Sequence, residues 1–151
     1  MLRSQISHAL KDAMRAKDER SISTLRLISA AIKDRDIAAR SEGKTDGVSD
    51  EEILNLLQKM IKQRHESIKL YEEAGRLELA DQERDEIAVI ERFLPRQLTE
   101  EETAAEVERI ADEIGANTVK DMGRLMSTLR QRFAGRMDFG LASSIAKARF
   151  S

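Results

Sequence analysis

The chain has 151 residues, of which 36% are charged and 40% hydrophobic, and its formal net charge at pH 7 is −2. The absence of cysteine excludes disulfides, thiolate nucleophiles and cysteine-ligated zinc. The first residues lack the apolar core of a secretory signal, and no apolar run approaches the roughly 18 residues of a membrane span. The composition therefore predicts a cytoplasmic protein without a membrane segment.

The charges are distributed unevenly along the chain. Residues 1–48 carry ten Lys/Arg and seven Asp/Glu, residues 49–116 carry nine and nineteen, and residues 117–151 carry seven and two. A basic tail therefore follows an acidic middle, even though the net charge is close to zero.

Apolar residues at three- and four-residue steps predict two helices at the start of the chain. The first carries a stripe that includes Leu2, Ile6 and Met14, and the second carries a stripe from residue 22 to residue 32. The pattern breaks at residues 42–47, which contain two glycines. Because few residues separate the two helices, we expect them to form an antiparallel pair.

A capping box predicts the start of the third helix. The Ser49 hydroxyl can accept a hydrogen bond from the Glu52 amide, and the acids of this turn favour the positive end of a helix. The apolar stripe of this helix also contains Arg64, and Gly75 is placed to end it in the left-handed conformation. A fourth helix follows, from residue 77 to about residue 93.

The only proline, Pro95, marks a boundary between two helical units. Proline lacks the amide that a helix interior needs and pushes the preceding residue toward an extended conformation. Thr99 and Glu102 then form a second capping-box pattern. We predict an all-α protein with an N-terminal bundle of about four helices over residues 1–94 and a small three-helix unit over residues 97–151.

Three apolar stripes predict the helices of the C-terminal unit, and no long stretch alternates apolar and polar residues like a strand. The first stripe is closed by Gly115. A regular helix over residues 119–133 accounts for the second, and the third lies near the end of the chain. The second and third stripes comprise Val119, Met122, Met126, Leu129 and Phe133, and Leu141, Ile145 and Ala148.

The sequence lacks a recognisable catalytic or metal-binding arrangement, so we expect no catalytic residue, metal or cofactor. His8 and His65 fall on different helices without zinc-ligand spacing, and we expect both at the surface. The acidic runs, including residues 81–86, are expected on solvated faces. Ser144 and Lys147 match the Ser-x-x-Lys spacing of some acyl-transfer enzymes but lack companion motifs.

The basic tail gives a clearer indication of function. Its candidate contacts to nucleic-acid phosphates are Lys120, Arg124, Arg130, Arg136 and Lys147. The same charges are equally expected on the solvated face of any short amphipathic helix. Because exposed aromatic rings are scarce, we expect contacts to backbone and shape, with little base stacking.

Several motifs carry a resemblance to a known family. The longest are residues 64–71 (RHESIKLY), 93–98 (FLPRQL), 120–126 (KDMGRLM) and 135–138 (GRMD), with shorter matches at residues 25–28 and 31–33. By these motifs the sequence resembles the YqeY family over nearly its whole length. Ser127 and Phe139 depart from the family, which often has a glycine and a small residue at these two positions.

The resemblance implies a role near tRNA. The YqeY family is similar to the tail of the GatB subunit of the Glu-tRNA(Gln)/Asp-tRNA(Asn) amidotransferase and to an appendage of some glutaminyl-tRNA synthetases. The resemblance implies a module that grips tRNA, and it places Lys120, Arg124 and Arg136 in the tail motif, where we expect them to make the contacts. Gly123 and Gly135 of the same motif are expected to be packing or turn residues. The resemblance also implies the family label of carbon–nitrogen ligase with glutamine as amide donor. The active sites of the amidotransferase lie in other domains, so the resemblance does not imply that this module carries the chemistry.

Three hypotheses therefore remain open from the sequence. The first is a non-catalytic adaptor associated with tRNA. The second is a protein-interaction module for an amidotransferase or an aminoacyl-tRNA synthetase, which would use the acidic middle helices. The third is an amide-transferring enzyme that uses Ser144 and Lys147.

Overall fold

The computed structural model describes all residues from Met1 to Ser151 and contains seven α-helices, one 3₁₀ turn and no strand, which confirms the all-α class. The chain divides into two compact units, Met1–Leu94 and Pro95–Ser151. None of the helices combines the length and hydropathy needed to cross a bilayer. The helices are α1 (Leu2–Ala16), α2 (Glu19–Ser41), α3 (Asp50–Glu73), α4 (Leu77–Glu91), α5 (Glu100–Ile114), α6 (Met122–Phe133) and α7 (Phe139–Phe150).

The first unit packs an α1–α2 hairpin against α3 and α4. Its main apolar cluster draws residues from all four helices. Burial of one such side chain stabilises the fold by about 1.5–3 kcal/mol. The cluster includes the fully buried Leu25, Ile28, Ile53, Leu57 and Ile90.

A two-residue turn joins α1 to α2 and makes the pair antiparallel, as the short spacing predicted. Lys17 adopts the left-handed conformation at φ 58°, and Asp18 then caps α2 by accepting from the Ser21 amide at 3.2 Å. Met14, predicted on the buried stripe of α1, is 50% exposed. That prediction was wrong because the open side of the hairpin leaves this edge of α1 uncovered.

An ion pair fixes the loop between α2 and α3. Arg3 donates to both carboxylate oxygens of Asp36 and to the Val48 carbonyl at 3.1 Å, while the Val48 amide donates to Asp36 at 2.9 Å. The hydrogen bonds from Arg3 and then Val48 lower the pKa of Asp36 to about 2. Gly47 packs on this pair at φ 87°, and a Cβ there would lie 2.8 Å from Arg3 Nη2 and Asp36 Oδ1. Any other residue would be strained at this positive φ and would displace the ends of the Arg3 and Asp36 side chains.

Both predicted ends of α3 are confirmed. The Ser49 hydroxyl accepts from the Glu52 amide at 3.2 Å, but the predicted capping box is only half formed. The Glu52 carboxylate instead accepts from the Ser49 hydroxyl at 3.4 Å and lies 3.7 Å from Lys44 Nζ. At the other end, Gly75 has φ 72°, and the Arg76 amide donates to the Tyr71 carbonyl at 2.8 Å. This geometry satisfies carbonyls that the last helical turn leaves free.

A half-buried charge cluster joins α3 to α4. Arg64 Nε lies 3.2 Å from Glu86 Oε2 and 3.8 Å from Glu83 Oε2, and Arg64 Nη1 donates to the Met60 carbonyl at 3.1 Å. Glu86 is only 9% exposed, so the prediction of a solvated face for all of residues 81–86 was wrong. Burial, and then repulsion from Glu86, raises the pKa of Glu83. The three-residue step from 83 to 86 turns both acids toward α3.

Candidate nucleic-acid interface

The second unit places α5, α6 and α7 around one apolar core. Each helix buries one side in this core and leaves another side for solvent or a partner. The buried residues include Val107 and Ile110 of α5, Leu125 and Leu129 of α6, Met137, and Ala142 and Ala146 of α7.

The buried face of α7 differs from the predicted stripe. Ala142 and Ala146 are fully buried, Leu141 and Ile145 are half-buried, and Ala148 is exposed. The prediction was wrong for Ala148 because apolar residues occur on every side of this short helix. Its two small alanines permit close approach to α5 and α6, a preference that the size of the apolar residues alone does not reveal.

Lys120 does not lie on α6, because that helix begins later than predicted. A 3₁₀ turn spans Val119–Asp121, and Val119, predicted on the buried stripe, is 61% exposed. The cause is the Asp121 carboxylate, which accepts from the amides of Asn117 at 2.9 Å and Thr118 at 3.1 Å. These bonds also lower the pKa of Asp121. Lys120 is therefore exposed on a turn that precedes α6.

Arg124 joins the start of α6 to the end of α5. Its Nη1 donates to the Ile114 carbonyl at 2.6 Å, and its Nη2 lies 3.2 Å from Asp121 Oδ1. A cation at a helix C-terminus satisfies a free carbonyl and interacts favourably with the helix dipole. Although the Arg124 side chain is 53% exposed, two of its nitrogens are already engaged in structural bonds. Sequence spacing alone did not reveal this role.

Arg136 holds the start of the second unit to the turn after α6. Its Nε donates to the Arg96 carbonyl at 3.3 Å, and its own carbonyl accepts from the Leu98 amide at 2.8 Å. The Gln97 side chain donates to the carbonyl of Gly135, which is buried and has φ 77°. Residues 95–98 are thus part of this unit.

Arg130 and Lys147 are exposed, and neither forms an ion pair. The Arg130 guanidinium lies 5.9 Å from the centre of the Phe139 ring, which is within range of a cation–π interaction. Lys147 lies two helical turns beyond Phe139 on α7, about 12 Å along the axis at 1.5 Å per residue. Arg130 on α6 and Lys147 on α7 are therefore two exposed cations of this unit without an acidic partner.

Acids of α5 neutralise other cations of the tail. Arg132 donates to both oxygens of Glu113 at 2.8 Å, and Arg149 donates to Asp112 at 2.6 Å. The bond from Arg132 lowers the pKa of Glu113. The unit as a whole carries nine Lys/Arg and nine Asp/Glu. The net charge of +5 over residues 117–151 is therefore balanced by α5 and the residues just before it.

Ser144 bonds to the backbone of its own helix and not to Lys147. The Ser144 hydroxyl donates to the Gly140 carbonyl at 3.2 Å, a common bond of helical serines to the preceding turn. Both side chains are exposed, and no hydrogen bond joins them. His8 and His65 are exposed, as predicted.

The five predicted contacts thus fall into two groups. Arg124 and Arg136 bond to backbone carbonyls inside the unit. Lys120, Arg130 and Lys147 remain exposed without an ion pair.

Comparison with known proteins gives two matches. The family model described as "Yqey-like protein" matches residues 3–150. An uncharacterized protein of the fission yeast Schizosaccharomyces pombe, C22F3.15, is 29% identical over 94 residues, which cover 62% of this chain and 72% of the yeast protein.

Proposed function

Since the chain belongs to the family of Yqey-like proteins, we propose that it is a non-catalytic binding module associated with tRNA. The observation that carries this proposal is the set of three exposed cations without ion pairs on the second unit, Lys120, Arg130 and Lys147. Most other cations of the unit are engaged by its own acids or carbonyls. These three are the side chains free to meet phosphates.

The mode of binding follows from the chemistry of these residues. Lysine ammonium groups on flexible side chains act as point charges on phosphate oxygens. Arg130 adds a planar guanidinium, which lies 5.9 Å from the centre of the Phe139 ring. Phosphate contacts of this kind fix position and orientation without reading sequence. The tRNA would therefore be recognised by its backbone and shape.

The roles of Arg124 and Arg136 are revised in this proposal. Both belong to the motifs that resemble the family, yet both also bond to backbone carbonyls. We infer that they support the surface and that their loss would act through the fold of the second unit. Substitution of either residue is therefore a poor test of RNA contact.

Binding of labelled tRNA across a salt series tests the proposal. We expect the wild-type chain to bind at low salt, with each phosphate contact adding up to about 0.9 to the slope of log K against log salt. The variant with Lys120, Arg130 and Lys147 all changed to Ala should lose roughly 2 to 3 units of that slope. The measurement is fluorescence anisotropy with the full chain.

A matched control comes from α3. Lys59, Lys62 and Lys69 are also three exposed cations without ion pairs. Their joint change to Ala should leave the slope unchanged. Absence of tRNA binding at low salt, or an equal loss in the control variant, would refute the proposal. Release of ammonia from glutamine that is lost in Ser144→Ala would favour an amide-transferring enzyme instead.

A further inference from the structure

A groove runs along the open side of the α1–α2 hairpin. Two depressions, of about 480 and 220 Å³, lie between these helices. On α1 and the turn after it, their lining includes Arg3, Ser7, Leu10, Met14 and Lys17, which follow one another at steps of four and three residues. On α2 the lining follows the same steps from residue 22 to residue 36. The two depressions therefore share one face of each helix.

The length of this groove suits a helix. The lining runs from Arg3 to Lys17 along α1 and the turn after it, and from Glu19 to Asp36 on α2, spans of 14 and 17 residues that correspond to about 21 and 26 Å. Two antiparallel helices present a shallow channel in which a third helix can pack at 8–10 Å from each. The α1–α2 hairpin therefore has an exposed groove in which a third helix could pack.

The floor of the groove is apolar. Leu10 and Ile22 are half-buried, and Met14 is 50% exposed. Methionine is flexible and polarizable, which makes it common at surfaces that accept apolar partners. These side chains would bury apolar area if a partner helix covered them.

The rim of the groove is basic. Lys17, Arg26 and Lys33 line it and form no ion pair, against one unpaired acid, Glu19. Arg3 at the far end is neutralised by Asp36. Lys17 reaches the rim from the left-handed position in the α1–α2 turn, a conformation that is uncommon for residues other than glycine.

We propose that this groove binds an amphipathic helix of a partner protein, with an apolar stripe over Leu10, Met14 and Ile22 and acidic residues facing Lys17, Arg26 and Lys33. The mode is the insertion of a helix into a groove, read at positions i, i+3 or i+4, and i+7. The site lies within the first unit and does not depend on tRNA binding by the second. An apolar floor favours a protein helix over a nucleic acid, whose backbone offers no apolar stripe.

The test is selection of helical peptides by the full chain. A display library of peptides of about 18 residues, long enough to span the groove, is selected on the wild-type protein and counter-selected on the Arg26→Glu/Lys33→Glu variant. We expect enriched peptides to carry Leu, Met or Phe at the helical spacing with Asp or Glu beside it. The best peptide should bind the wild-type chain at least tenfold more tightly than it binds the variant, as measured by anisotropy.

Arg35→Glu is the matched control. Arg35 is exposed on the same helix but lies about 200° around the axis from Lys33, so its reversal should change affinity less than about twofold. A single cysteine at Ser29 in this cysteine-free chain should crosslink to a peptide that carries a thiol-reactive group, whereas one at Ser4 on the outer face of α1 should not.

Three outcomes would overturn the proposal. The first is enrichment of basic peptides, or a selection in which no peptide prefers the wild-type chain to the Arg26→Glu/Lys33→Glu variant. The second is loss of the peptide crosslink at position 29 when an RNA oligonucleotide is added, which would show that the groove binds nucleic acid. The third is self-association that Arg26→Glu/Lys33→Glu abolishes in sedimentation, which would assign it to a second copy of the chain.

Discussion

Asp36 and Glu83 are two carboxylates of the first unit whose pKa values are shifted in opposite directions. Asp36 accepts bonds from Arg3 and the Val48 amide, which favour its charged form and lower its pKa to about 2. Glu83 is desolvated and lies beside Glu86, which together disfavour its charged form and raise its pKa despite the attraction of Arg64. The ionised Asp36 carboxylate therefore stabilises the fold at neutral pH, whereas the ionised Glu83 carboxylate destabilises it.

We predict that Glu83→Gln stabilises the first unit at pH 7. A raised pKa in the folded state means that the stabilising form is the neutral acid. The stability contributed by protonated Glu83 is complete below the unfolded-state pKa of about 4.3 and is lost as pH rises through the pKa of the folded state. The gain from Gln should therefore appear as a higher midpoint of urea unfolding at pH 7 and shrink toward pH 4.

Asp36→Asn is the comparison of opposite sign. Because the folded pKa of Asp36 is depressed, its contribution is present above the unfolded pKa of about 3.9 and is lost as pH falls toward 2. The substitution should cost about 1–2 kcal/mol at pH 7, since a charge-assisted hydrogen-bond pair is removed from a partly exposed site. A destabilising Glu83→Gln, or equal pH profiles for the two variants, would contradict this account.

At the scale of elements, the sequence predicted helix starts and stops better than side-chain partners. The caps at Ser49 and Thr99 and the left-handed Gly75 and Gly115 are local features, so a few neighbouring residues determine them. The start of α6 was missed because the Asp121 carboxylate competes with the helix for backbone amides.

The candidate site was predictable only in part, since its cations meet partners distant in sequence. Arg124 bonds to the Ile114 carbonyl, and Arg132 pairs with Glu113 across two helices. Helical spacing predicts the face on which a residue lies, but it does not predict which groups of the neighbouring helix contact that face. The groove along α1 and α2 was missed for the same reason, because Met14 reads as a buried position until its neighbours are known.

We predict that Thr99→Ala destabilises the second unit by about 1 kcal/mol. The Thr99 hydroxyl accepts from the Glu102 amide at 3.0 Å, and the Glu102 carboxylate accepts from the Thr99 amide at 3.0 Å, which completes the capping box. Urea unfolding of the second unit measures the loss. Ser127→Ala, at an exposed site in the middle of α6, should change stability by less than about 0.5 kcal/mol. Equal effects of the two substitutions would show that the cap contributes nothing.

At the scale of the whole molecule, each unit has its own apolar core. The main cluster of the first unit is built from α1–α4 and nearby loop residues, and that of the second from α5–α7 with Leu98, Ala116 and Met137. A domain of 55–65 residues can fold alone when it buries about 60% of its unfolded surface. The second unit is near this lower limit.

We predict that residues 1–94 and 95–151 each fold when produced separately. Both should show helical circular dichroism and a cooperative thermal transition. A fragment that begins at Thr99 should be less stable than one that begins at Pro95, because it lacks the bonds from Gln97 and Leu98 to the turn at Gly135 and Arg136. A second unit that unfolds without cooperativity, or that is indifferent to residues 95–98, would contradict the division.

The balanced charge of the second unit has a kinetic consequence for the proposed function. Long-range attraction accelerates encounters with a polyanion, and nine acids against nine cations provide little of it. Association would then proceed near the unsteered rate of about 10⁵–10⁶ M⁻¹s⁻¹. Such a surface is most effective when another contact already holds the tRNA close, because tethering replaces diffusion by an effective concentration in the millimolar range.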